Sequence, residues 1–146
     1  MNDPRADNVK RFREEQGAVR VYMLTAIQPF TVSQDRFIVV ERRHEEAWLI
    51  HCTGCTPRTA LGNGNSQSVS PETLQEFITR INAASAAWDS DAMPPGVHDG
   101  ITLTVEIADA ESYRRVRMVD PADGSPHDKL LSAWMTTFPE VAIALT

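Results

Sequence analysis

The feature that most constrains this chain is a module in its second half. It runs from a turn at Asp99-Gly100 through an alternating segment and a second one opened by Tyr113, to a helix started by Ser125-Pro126. In the first segment Ile101, Leu103, Val105 and Ile107 fall on one side and Thr102, Thr104 and Glu106 on the other. That is the period of two residues expected of a strand with one face buried. Asp109-Ala110-Glu111 reverses the chain, after which Val116 and Met118 face one way and Tyr113, Arg115 and Arg117 the other. Pro121 and Gly124 end that strand. Ser125 then caps a helix whose Leu130, Leu131, Trp134 and Phe138 form an apolar stripe. Two neighbouring strands followed by an amphipathic helix must bury one sheet face against that helix, which makes the class α+β.

The first half extends the same plan. Asp7 to Gln16 is mostly charged and reads as a short helix closed by Gly17. An alternating run from Val19 to Ala26 ends before Pro29, and Phe37-Ile38-Val39-Val40 and Ala47 to Cys52 follow as β-rich runs separated by a charged turn. These three runs predict an antiparallel meander. Thr56 to Ser70 carries Pro57, two glycines and a string of Ser, Asn and Gln, and reads as a long surface loop. Ser70-Pro71-Glu72 opens a helix with an N-cap serine and a proline at its first position. Leu74, Phe77, Ile78, Ile81, Ala84 and Trp88 give that helix one apolar face, and Pro94-Pro95 cannot continue it.

The expectation is therefore a single domain over residues 1–146, with one antiparallel sheet of about five strands packed with two main helices, Pro71 to Trp88 and Pro126 to Phe138. The expected core comprises Phe77, Ile81, Leu103, Val105, Val116, Leu131 and Trp134, with Trp48 also inside. A chain of 146 residues buries roughly 70% of its unfolded surface, enough for a core without staples.

Charge and cysteine usage bound the function. The net charge is −6, from 20 acidic against 14 basic residues. Phosphate affinity comes from Lys and Arg, so direct nucleic-acid binding is not expected; the mild acidic charge either serves solubility or offers an acidic surface to a basic protein partner. No stretch approaches the roughly 20 apolar residues of a membrane span. The polar N-terminus lacks a signal core and there are only two cysteines, so the expected compartment is cytoplasmic and reducing.

Motifs that could carry chemistry are few. His51-Cys52-Thr53-Gly54-Cys55 has a metal or redox spacing. Structural zinc needs two further ligands, and His44, His98 and His127 lie on separate elements. A thioredoxin-type motif sits between strand and helix, whereas this one runs into a polar loop. Ordinary thiols at Cys52 and Cys55, with no metal or cofactor, are the expectation. Gly62-Asn63-Gly64-Asn65 lacks the lysine of a phosphate cradle. No nucleophile elbow occurs, and catalysis is not expected. Arg114, Arg115 and Arg117 beside Tyr113 form a basic stripe that would either bind an acidic group or pair with Glu106 and Glu111 on an exposed face. Trp88 with Asp89 and Asp91 is an aromatic beside acids at a helix end. It is either an interface anchor or a core residue closing the helix.

Asp99-Gly100-Ile101-Thr102-Leu103-Thr104-Val105-Glu106, Tyr113 with Val116, and Pro121, in this order between two capped helices, resemble small bacterial proteins found with secreted polymorphic toxins. The chain thus looks like an immunity protein of the kind carried beside type VI or contact-dependent effectors. Many of those proteins have Trp where Thr102 stands and His where Arg114 stands, so no residue role is carried over. The resemblance implies a protein that binds a cognate toxin and occludes its active site. The expected contact surface is Trp88, Asp89 and Asp91, with help from Gly62 to Ser68. The alternative is a small-molecule or peptide-binding module without catalysis.

Overall fold

The structure, a computed structural model, describes residues 4–30, 34–55, 65–96 and 99–145. Among the described residues there are six strands, five of them on the β-rich runs and β4 on a polar segment: β1 (Arg20–Ile27), β2 (Gln34–Glu41), β3 (Ala47–Cys55), β4 (Asn65–Val69), β5 (Thr102–Asp109) and β6 (Tyr113–Met118). They make one antiparallel sheet in the order β4-β3-β2-β1-β5-β6. Four helices join it: α1 (Pro4–Glu15), α2 (Pro71–Ala83), α3 (Pro126–Thr137) and α4 (Pro139–Leu145). The α+β class and the single antiparallel sheet agree with expectation. Among the described residues the strand count is six rather than about five, and α1 and α4 accompany the two expected helices.

The additional strand falls in the segment expected to be a loop. Asn65-Ser66-Gln67-Ser68 is exposed along its length, so no apolar alternation marks it. Backbone pairing with β3, from Ala47↔Val69 to His51↔Asn65, makes it a strand all the same. The expected loop contribution from Gly62 to Ser68 is thereby divided. Gly62 to Gly64 lie outside the described residues, and 65–68 belong to β4.

Because the period is two, each strand feeds two faces. Tyr22, Leu24, Phe37, Val39, Leu49, Leu103, Val105, Val116 and Met118 point to one face and meet Leu74, Phe77 and Ile81 of α2 and Leu130, Ala133 and Trp134 of α3. Phe77 stands at the centre of this core. Its ring lies 5.1 Å from Tyr22, 4.9 Å from Trp134 and 5.1 Å from Phe138, in edge-on or tilted contacts. The expected core is buried as read, except for Leu131, which is half-buried at its margin.

The other face is covered as well. Val9 and Phe12 of α1 pack with Val21, Met23, Ile38, Val40, Ile50 and Ala108. This second layer corrects two expectations. Glu106 is only 8% exposed, not on a solvated face. Trp48, opposite Val40 on this face, is half-exposed, with its indole N–H donating to Glu46 Oε1 at 3.3 Å. It belongs to the face that α1 covers, outside the main core between sheet and helices.

The Asp99-Gly100 turn has a steric cause. A Cβ on Gly100 would sit 2.7 Å from Val119 Cγ1 and 2.9 Å from Asp120 Oδ2, so only glycine lets the entry to β5 pass this close. Among the described residues no helix is long and apolar enough to cross a membrane.

Candidate functional site

The site expected around Trp88 is built by the way α2 ends. Ser70 Oγ accepts the Thr73 N–H at 3.1 Å and Pro71 occupies the first turn, so the helix starts where the sequence places it. It remains α-helical only to Ala83. At Ala84 the chain tightens into a 3-10 turn over Ser85–Asp89, with the Ala84 N–H donating to Ile81 O at 3.1 Å and Ala87 N–H to Ala84 O at 3.0 Å. Ala84 and Ala87 are small enough to lie flat on the core, at 1% and 0% exposure. The tighter turn leaves Trp88 half-buried against the margin of the main core.

There Trp88 forms one wall of a cleft of about 160 Å³ between the end of α2 and one end of the sheet. Ile78 and Ile81 supply the helix side, and Arg20, Tyr22, Asp109 and Arg114 the sheet side. The polar groups on the sheet side are tied to one another. The Tyr22 hydroxyl donates to Glu41 Oε1 at 2.6 Å and accepts from Arg20 Nη1 at 3.3 Å. Arg20 Nε lies 4.0 Å from Asp109 Oδ2. Asp109 Oδ1 accepts the Glu111 N–H at 2.8 Å, the Ser112 N–H at 2.7 Å and the Ser112 hydroxyl at 3.0 Å, which fixes the β5–β6 turn.

These contacts set the protonation states. Burial, together with the hydrogen bond to Glu41, pushes the Tyr22 phenol well above its usual range. Burial works against the charge on Arg20, but the Tyr22 hydrogen bond and the fields of Tyr22, Glu41 and Asp109 outweigh it and raise its pKa. Backbone N–H donation, that of Glu111 foremost, holds Asp109 below the ordinary carboxylate value. Tyr22 is thus a neutral donor, Arg20 a fixed cation and Asp109 a fixed anion across the physiological range. Arg114 is exposed at the rim and has no hydrogen-bond or ion-pair partner among the described residues.

The three residues singled out from sequence are separated by the fold. Trp88 lines the cleft. Asp89 is exposed beside it, with no hydrogen bond or ion pair among the described residues. Asp91 turns to the edge of the sheet instead. It accepts the Arg117 backbone N–H at 2.9 Å, and the Arg117 guanidinium reaches its other oxygen at 3.2 Å through both Nε and Nη2. Ala92 then bridges Met118, so this short stretch covers the outer edge of β6. Burial raises the Asp91 pKa, but donation from the Arg117 N–H and guanidinium outweighs it and the net shift is downward.

The basic stripe is divided in the same way. Arg114 serves the cleft, while Arg115 and Arg117 share the opposite sheet face with Glu106. Glu106 lies opposite Arg115 in register, as one sequence alternative proposed, but in a buried setting where its Oε2 accepts from the Tyr113 hydroxyl at 2.6 Å.

Arg20, Tyr22, Glu41 and Asp109 escaped the sequence reading, because their association depends on which strands pair. Arg20 stands opposite Glu41 on one side and Asp109 on the other. The sequence signal was an arginine and a tyrosine two apart at a strand start, which gains meaning only with the register.

The Cys-x-x-Cys segment departs from expectation. Cys52 is 9% exposed and disulfide-bonded, not a free thiol. The backbone is bulged there, with Cys52 opposite Arg36 and Cys55 opposite Gln34, so three steps of β3 face two of β2. Among the described residues no group of three or more His, Cys, Asp or Glu is placed to hold a metal ion.

No protein-family model matches the chain, and no curated protein matches it.

Proposed function

We propose that this chain is an immunity-type inhibitor that binds a cognate bacterial toxin and occludes its active site, using the Trp88 cleft and the exposed Asp89 as its contact surface. The observation that carries the reading is the size and lining of the cleft. At about 160 Å³ it is smaller than the roughly 300–1,000 Å³ of small-molecule sites, and of a size to receive one protruding side chain. A half-buried tryptophan beside a side-chain-sized pocket is the local form of an interface hot spot. The polar groups inside are locked in fixed protonation states, which suits recognition by shape and charge rather than proton transfer. Asp89 and the net charge of −6 favour a basic toxin surface through steering and complementary contacts.

The test is co-expression with a toxin candidate taken from the neighbouring genes, followed by size-exclusion chromatography of the mixture. Rescue of growth and a co-eluting complex are expected. Trp88→Ala should weaken the complex by about thirtyfold or more, the loss typical of a hot-spot aromatic. Asp89→Lys, at an exposed position that does not affect folding, should slow association. Equal killing with and without the protein, and no complex, would remove the immunity reading. An intact complex with both variants unaffected would remove only the proposed surface.

A further inference from the structure

The sheet face opposite the cleft holds a second group of polar side chains that the proposed function does not use. The rows on this face follow from the register: Arg36 on β2 lies opposite Thr25 on β1, and Thr25 lies opposite Thr104 on β5. Their side chains therefore stand side by side on the α1-covered face, across three central strands. Thr25 is 6% and Thr104 7% exposed, and Gln34, two residues before Arg36 on the same face, is 5% exposed. Arg36 is half-buried, and its Nε is fully buried with no hydrogen-bond partner among the described residues. Among the described residues, the side chains of Arg36, Thr25 and Thr104 make no hydrogen bond or ion pair.

This is an unusual arrangement. Native proteins pair nearly all buried polar groups, and a sheltered guanidinium almost always has an anionic partner. Burial lowers the Arg36 pKa, and the field of Glu106 partly offsets that effect. The Glu106 carboxylate is, however, engaged by the Tyr113 hydroxyl and flanked by Arg115. Arg36 thus shares the Glu106 carboxylate with the Tyr113 hydroxyl and with Arg115, which also acts on Asp91, whereas Arg117 pairs with Asp91 directly. The unmet requirement is for one small negative group bearing oxygen acceptors.

We propose that Arg36, Thr25 and Thr104 form a binding site for a small oxyanion, a carboxylate or a phosphate. The Arg36 fork donates two parallel hydrogen bonds to a pair of anion oxygens, a match that lysine would not give. The two threonine hydroxyls donate to the same oxygens from the neighbouring strands. Glu106 limits the charge accepted, so the site favours a singly charged group over a polyanion. The site lies across the sheet from the Trp88 cleft and stands or falls independently of the toxin reading.

The experiment titrates the isotope-labelled full chain with sodium phosphate and, separately, with sodium acetate, at ionic strength held constant with chloride. Backbone amide shifts are read by NMR. Saturable shifts at Thr25, Arg36 and Thr104 with either anion are expected, and the tighter of the two distinguishes a tetrahedral from a planar ligand. Arg36→Gln should weaken binding by about tenfold or more, as removing a charged hydrogen-bond partner does. Arg36→Lys should recover only part of that loss. If Arg36→Gln fails to fold, Thr25→Val combined with Thr104→Val removes the hydroxyls at nearly constant shape and should weaken binding as well. Absence of saturable shifts with both anions would overturn the proposal, as would variants that bind as tightly as the wild-type chain.

Discussion

At the scale of single residues, position in the register decides what a charge does. Asp89 and Asp91 are two residues apart in an acidic stretch, yet one faces solvent and the other holds the edge of β6 through Arg117. Asp109 is bound at a turn by three donors. Both Asp91 and Asp109 have folded-state pKa values below the ordinary aspartate value of about 3.9. The unfolded chain therefore takes up protons first as pH falls, and the folded state loses ground. Their stabilisation is fully present above the unfolded value and disappears as pH drops through the lower folded values. Denaturant midpoints should be flat near neutrality and fall below about pH 4. Asp91→Asn combined with Asp109→Asn should flatten that fall, and an unchanged acid slope would refute the assignment. The turn at Asp109 was legible from sequence, since its donors are two and three residues on, whereas the role of Asp91 was not, because Arg117 is brought to it only by the fold. Trp134, by contrast, was legible as core from helical spacing alone. Its ring is fully buried against Phe77 and Phe138, although its indole N–H has no partner among the described residues.

At the scale of elements, the capped helices are the parts most fully encoded locally. Ser70 and Ser125 each accept the N–H three residues on, from Thr73 and Asp128, at 3.1 Å, and each is followed by proline. Ser70→Ala and Ser125→Ala should each cost about 1 kcal/mol, read as a shift in denaturant midpoint at constant slope. A change near zero at either position would mean that the first turn is held by packing instead. Where each helix ends was less legible. The apolar stripe of α2 continues to Trp88, but the backbone changes to a 3-10 turn after Ala84, a change that preserves burial and so leaves no mark in hydrophobic spacing. Strand β4 is the opposite case. Its five residues carry little apolar signal, and it exists because β3 offers a free edge for its backbone to pair with.

At the scale of the whole molecule, one sheet serves two cores, with α2 and α3 on one face and α1 on the other. Each central strand contributes alternate residues to both, so neither core can form without the other. Unfolding should therefore be one cooperative transition, with tryptophan fluorescence and far-ultraviolet circular dichroism tracing the same curve. Phe12→Ala on α1 should lower that common midpoint by the equivalent of about 3–5 kcal/mol without separating the two probes. Two resolved transitions would show that the α1 layer unfolds by itself. The sequence alone determined the α+β class, five of the six strands, the starts of α2 and α3 and most of the main core. Alternation, helical spacing and cap chemistry act over a few residues and are written in order along the chain. Only the tertiary structure decided that Glu106 and Arg36 are sheltered, that Trp88 and Asp91 part company, and that Arg20, Tyr22, Glu41 and Asp109 meet. Those outcomes depend on which strands become neighbours and in what register, and that pairing joins residues as far apart as Arg20 and Asp109.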